Sequence, residues 1–205
     1  MDKRKAFKKG GGCMTQLLEL LMASLAAVTL ENVIFTTAFG TSTLIELTKR
    51  NWQILSFGGF ITEFAVLSSL IAYFLEWLLI SWGLGLRLMP IGYIISLGAV
   101  YILTLIGIRV ASKKAFSAMK RYIHLSAFNC AVLSVLFTNS VNGSSLLDRL
   151  LFAAYTGLGF MLAAYILRIN YDRLSSDRVP AAFRGFPIYA LYIGLVSMII
   201  YILKR

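Results

Sequence analysis

The residues of this 205-residue chain that could do chemistry are few, and the most telling of them sit inside apolar stretches. Asn32, preceded by Glu31, and Asn129, followed by Cys130, are 97 residues apart and so take equivalent places in two halves of the chain. Their surroundings match in kind. Glu31-Asn32-Val33-Ile34-Phe35 leads to the polar run Thr41-Ser42-Thr43, and Phe128-Asn129-Cys130-Ala131-Val132 leads to Thr138-Asn139-Ser140. A polar side chain within a long apolar run either bonds across helices as packing glue or marks a site. The matched pair favours a site near the membrane midplane. A broken helix exposes amide and carbonyl groups that lipid cannot satisfy, so breaks at corresponding positions of inverted repeats point to a binding region. Glu31, Asn32 and Glu63 are candidates for an ion path, with pairing to a neighbouring helix as the plainer alternative. Cys130, by residue type alone, reads as a buried space-filler.

Composition fixes the medium these residues work in. Hydrophobic residues make up 59% of the chain and charged ones 14%, both far from the averages of a soluble domain. Mean hydropathy is +0.78. Such a chain belongs in a lipid bilayer. Its net charge of +11 is spread over short clusters between apolar stretches, with no basic face of interleaved aromatics, so nucleic acid is not expected as a partner. Two cysteines make no disulfide framework, and one histidine makes no His-rich metal centre. No phosphate loop and no Gly-x-Ser-x-Gly elbow appear.

Six spans are expected. Residues 88–108, 150–167 and 185–203 are uncharged runs of 21, 18 and 19 residues, close to the length a bilayer requires. Residues 54–80 form another, interrupted by Glu63 and Glu76 and flanked by Trp52 and Trp82. Residues 14–44 and 122–138 carry the two matched interruptions. The basic leader 1–13 reads as a flexible tail. The stretch behind it contains Glu19 and runs past the length of a signal-peptide core, so it is expected to stay in place. Glu19 and Glu76, nearer span ends, are expected to reach water, and His124 to face headgroups.

Orientation follows from the cations. Lys49, Arg50, Arg109, Lys113, Lys114, Lys120, Arg121, Arg168, Arg173, Arg178 and Arg184 fall in odd-numbered loops, which places that face in the cytoplasm. Arg87, Arg149, Lys204 and Arg205 fall on the other face, where the tail's five cations conflict with the rule.

These residues carry a family resemblance. Asn129-Cys130-Ala131-Val132-Leu133 resembles the Asn-Cys-Ala motif of the Rnf/Nqr membrane subunits. Tyr171-Asp172-Arg173-Leu174 with Val179-Pro180-Ala181-Ala182-Phe183-Arg184-Gly185 resembles the loop before that family's last helix. Glu31-Asn32 with Phe39-Gly40 resembles its first interrupted helix. Over residues 16–203 the chain looks most like the RnfA/NqrE-type subunit.

The resemblance implies an all-α membrane fold of six helices in two inverted three-helix repeats, about 14–108 and 122–203, within one domain spanning 14–205. It implies a multi-pass protein of a bacterial-type plasma membrane, paired with a homologous RnfE/NqrD-type subunit and with other subunits of a complex. Between the pair, cysteines of the broken helices would hold a [2Fe–2S] cluster that relays electrons across the bilayer in a redox-driven Na⁺ or H⁺ pump. On this alignment Asn129, Cys130 and Ser42 face the cofactor, and Pro180, Arg184 and Gly185 shape the loop. Ser42 stands where the family has its first cysteine. Leu105 stands near the family's acidic residue in the third helix, and His124 where proline is usual. Iron–sulfur clusters are normally held by four thiolates, and serine is a hard oxygen donor. Ser42 therefore favours a rival: a cluster-less member acting as a membrane transporter or non-redox scaffold.

Overall fold

The computed structural model describes residues 26, 28–29, 32–49, 54–83, 85–142, 145–177 and 179–204. Glu31, the tail with Cys13, Glu19, Trp52 and Arg178 lie outside the described residues. The described chain is helical throughout: α1 (Val33–Thr37), α2 (Thr41–Lys49), α3 (Ile54–Ser81), α4 (Gly85–Ala111), α5 (Lys113–Ala127), α6 (Cys130–Asn142), α7 (Leu146–Leu174) and α8 (Phe186–Lys204), with a 3₁₀ turn at Ala181–Phe183. Four helices are long and apolar enough to cross a bilayer: Ile54–Ser81, Leu88–Ala111, Leu146–Leu174 and Phe186–Leu203. Phe116–Ala127 and Cys130–Val141 form a fifth candidate, bent by 44° at the break. The first expected span is described at residues 26 and 28–29 and from Asn32 through α1 and α2.

Most helices run past their apolar windows. α7 begins four residues before the expected span, where Ser145 accepts from Asp148 N–H and bonds the Asp148 carboxylate at 2.8 Å, an N-terminal cap. It ends seven residues beyond the expected span, with Arg173 in its last turn, where a cation suits the helix dipole. Hydropathy reports where lipid begins and ends, and capping reports where the helix does.

The first broken span divides twice. Asn32 caps α1, and Ala38 then takes a left-handed backbone (φ 59), followed by Gly40 at φ 84. Only Gly40 is glycine, so Ala38 carries the strain of a side chain in that region. In the second broken span, Phe128 and Asn129 separate α5 from α6.

The core gathers around α3 and α7, which share the most extensive packing. They run antiparallel. Gly58 lies against Met161 and Gly157 against Thr62, so low numbers on one meet high numbers on the other. A Cβ on Gly157 would stand 2.0 Å from Thr62 Oγ1, which is why a small residue is needed there. Phe57 and Phe160 seal the contact with ring centroids 5.7 Å apart. Leu44 and Leu47 from α2, and Ala131 and Val132 from α6, fill the flanks.

The cation-rich segments come together at one end of the molecule. Arg168 of α7 donates to the Thr48 carbonyl near the end of α2 at 3.4 Å, and Glu46 of α2 shares a crevice with Lys120 and Arg121 of α5.

Gly157→Ala is expected to cost about 1–3 kcal/mol by overpacking, read as a lower Tm in detergent. Gly98→Ala, at a position with open space, is expected to leave Tm unchanged or raise it.

Candidate functional site

Asn32 and Asn129 play the same local part. Each side-chain oxygen accepts from the amide two residues on, Ile34 N–H at 3.0 Å and Ala131 N–H at 2.9 Å. Such turns let asparagine start a helix, so both breaks restart under the same chemistry. Both asparagines are buried. Beyond the cap they diverge. Asn32 Nδ2 donates to the Gly159 carbonyl of α7 at 2.7 Å, whereas Asn129 Nδ2 has no partner among the described residues. An unpaired buried amide donor is costly and calls for an explanation.

The two breaks meet. A Cβ on Gly40 would stand 2.8 Å from Asn129 Oδ1 and 3.2 Å from Ala131 Cβ. Glycine at this position lets the first break lie directly on the second. Ser42 is the second residue of α2, two positions past Gly40, and Cys130 is the first residue of α6, next to Asn129. The junction thus brings the neighbourhoods of Ser42 and Cys130 together. Both side chains are exposed, as are Phe39 at 47% and Phe128 at 70%. Cys130 is therefore not a core space-filler; its thiol looks outward from the junction.

As donors, these residues make one thiolate and one hydroxyl. No group of three or more His, Cys, Asp or Glu that could hold a metal occurs among the described residues. A four-thiolate cluster does not fit this set if a partner brings two cysteines, because Ser42 offers oxygen where sulfur is needed.

Glu63 is half-buried and accepts from Thr104 Oγ1 of α4 at 3.0 Å, so its hydrogen-bond partner lies on α4 and not at Asn32. Pro180 opens the 3₁₀ turn before α8. Arg184 folds back to donate to the carbonyls of Val179 at 2.9 Å and Asp177 at 2.7 Å, and Gly185 turns the chain into α8 at φ 89. The guanidinium organises the loop through its backbone.

A second polar centre escaped the sequence reading. Glu76 does not reach water: it is 7% exposed and paired with Arg149 of α7 at 2.7 Å. Tyr93 of α4 donates to the other carboxylate oxygen at 2.8 Å, the guanidinium lies over the Tyr73 ring, and Asn139 donates to the Arg149 carbonyl. Arg149 counted as a loop cation in the sequence, yet burial with a carboxylate is its actual role. Opposite charges near facing ends of two spans were the available signal. His124 likewise has a specific partner, the Tyr101 hydroxyl, and is half-buried.

Comparison with known proteins places these features in a family. The family model described as Rnf-Nqr subunit, membrane protein, matches residues 20–204. The chain is 26% identical over 182 residues to the A subunit of the Na⁺-translocating ferredoxin:NAD⁺ oxidoreductase complex of Acetobacterium woodii, covering 88% of this chain and 94% of that one. It is 31% identical over 180 residues to the A subunit of the ion-translocating oxidoreductase complex of Aromatoleum aromaticum, covering 87% and 92%. The protein of the same description from Escherichia fergusonii is 25% identical over 183 residues, covering 89% and 94%.

Glu76→Met alone, which strands a buried guanidinium, is expected to cost about 3–5 kcal/mol, seen as lost folded yield and lower Tm. Glu76→Met combined with Arg149→Met is expected to recover most of that loss.

Proposed function

Because the chain belongs to the Rnf-Nqr family of membrane subunits, we propose that it is the RnfA-type component of an ion-translocating oxidoreductase complex in a bacterial-type plasma membrane. In this role it pairs with a homologous RnfE/NqrD-type subunit, and the pair relays electrons across the bilayer. The observation that carries the reading is the junction of the two helix breaks, with Cys130 exposed beside it.

Two features support an inverted repeat of three helices and three. The equivalent long helices α3 and α7 pack antiparallel. Each broken span also reaches the long helix of the other half: Asn32 donates to Gly159 of α7, and Ser126 of α5 to the Phe57 carbonyl of α3 at 3.5 Å. The outward surface at the junction, with Thr36, Phe39, Ser42, Phe128 and Cys130, suits a partner that presents a similar pair of breaks. Asn32 and Glu63, with Glu31, remain the candidates for an ion path, since intramembrane polar groups of this kind mark such paths.

A [2Fe–2S] cluster shared at the junction would take one thiolate, Cys130, and one hydroxyl, Ser42, from this chain, a set short of the four thiolates such clusters normally have. Such a cluster would supply one-electron transfer. The chain's own contribution is to hold the two helix starts together and to keep the thiol at the protein surface. Ser42 supports the second reading, a cluster-less transporter or scaffold built on the same fold.

Co-purification of the chain with its homologous partner separates the two. The redox reading expects iron with an EPR signal in the reduced sample, lost in Cys130→Ala and strengthened in Ser42→Cys. An iron-free pair in which Cys130→Ala leaves the complex's activity intact overturns the relay and favours the second reading.

A further inference from the structure

Between α2 and α5 lies a crevice of about 600 Å³, lined by Glu46, Ser117, Lys120, Arg121, His124 and Leu125. We propose that it seats the phosphodiester of a phospholipid headgroup. The proposal stands apart from the redox reading, and none of the crevice's lining residues takes part in that reading.

Three observations carry it. The first is charge. Among the lining's Lys, Arg and Glu side chains, Lys120 and Arg121 against Glu46 leave one net positive charge. That matches the single negative charge of a phosphodiester better than the greater charge of a phosphate monoester. Ser117 adds a hydroxyl donor. The Tyr101 hydroxyl engages His124 Nδ1, so Nε2 is the ring nitrogen left for a ligand.

The second is depth. α2 ends at Lys49 and α5 begins at Lys113 and Lys114, so the crevice opens at the cation-rich end of both broken spans. Basic pockets between membrane helices at this level are recognised sites for lipid headgroups.

The third is the order of side chains along α5. Ser117, Lys120 and His124 follow at spacings of three and four, which puts them on one stripe of the helix. The lining passes from hydroxyl and ammonium to imidazole and then to the apolar Leu125. From the membrane surface inward, that is the order of a phospholipid, headgroup first and acyl chain after.

The test is titration of a short-chain phosphatidylglycerol onto the full-length protein in detergent, followed by native mass spectrometry. One lipid per chain is expected, with Lys120→Gln weakening binding about fivefold, the worth of one cation at a headgroup. Lys114→Gln, the same charge change outside the crevice, is expected to leave binding unchanged. Ser117→Ala, which removes no charge, is expected to weaken it more mildly, and circular dichroism checks that each variant stays folded. Equal losses in Lys120→Gln and Lys114→Gln, or no loss in Lys120→Gln, overturn the proposal. So does displacement of the lipid by millimolar inorganic phosphate, which would assign the crevice to a soluble anion.

Discussion

A helix that stops inside a membrane leaves amides and carbonyls with no water to bond, and this chain turns on how it satisfies them. Its solution is to use asparagine at two restarts, the first resting on α7 and the second under the turn at Gly40. Asn32 and Asn129 each bond an amide of the helix they begin. Gly40 gives up its side chain so that the first break can rest on the second. Gly159 does the same for Asn32, where a Cβ would stand 2.9 Å from the amide nitrogen. The long helices α3 and α7 then serve as a frame for two irregular segments that could not be stable alone.

That frame was largely legible in the sequence. Span-length apolar runs, the matched asparagines and the clustering of cations all follow from periods and compositions that survive without coordinates. The interruption of the second broken span falls at Asn129, as its polarity suggests. The first is more complex, because Ala38 gives no sign in its side chain that its backbone will be left-handed. Glu76 and Arg149 were misread for a related reason. Each is an ordinary span-end charge when read alone, and only the packing of α3 on α7 brings together residues 73 positions apart. Local pattern can place a charge near a membrane face, but it cannot say which charge lies opposite.

The exposed side of the junction is where fold and function separate. Folding accounts for Gly40 and for the capping oxygens of Asn32 and Asn129. It accounts for neither Cys130 nor Ser42, which sit outside the core and contribute little to it. Family membership carries the fold of this surface, and at Ser42 the surface presents a hydroxyl, a side chain that can change without touching that fold.

Helix α8 carries a consequence for how freely this sequence can drift. Only 11% of its apolar window is buried: near its start Tyr189 stacks on Tyr171 and bonds Ser175 while Arg184 and Gly185 shape the approach, and further along Val196 and Ile200 pack on the core, where the helix runs beside α1. The remaining turns, from Leu195 to Leu203, face outward for the most part. Away from Val196 and Ile200, which touch the core, substitutions there that preserve hydrophobicity are nearly silent to folding. Selection acting on those turns comes from lipid or neighbouring proteins, so patterns of variation along α8 would record the chain's surroundings and not its core.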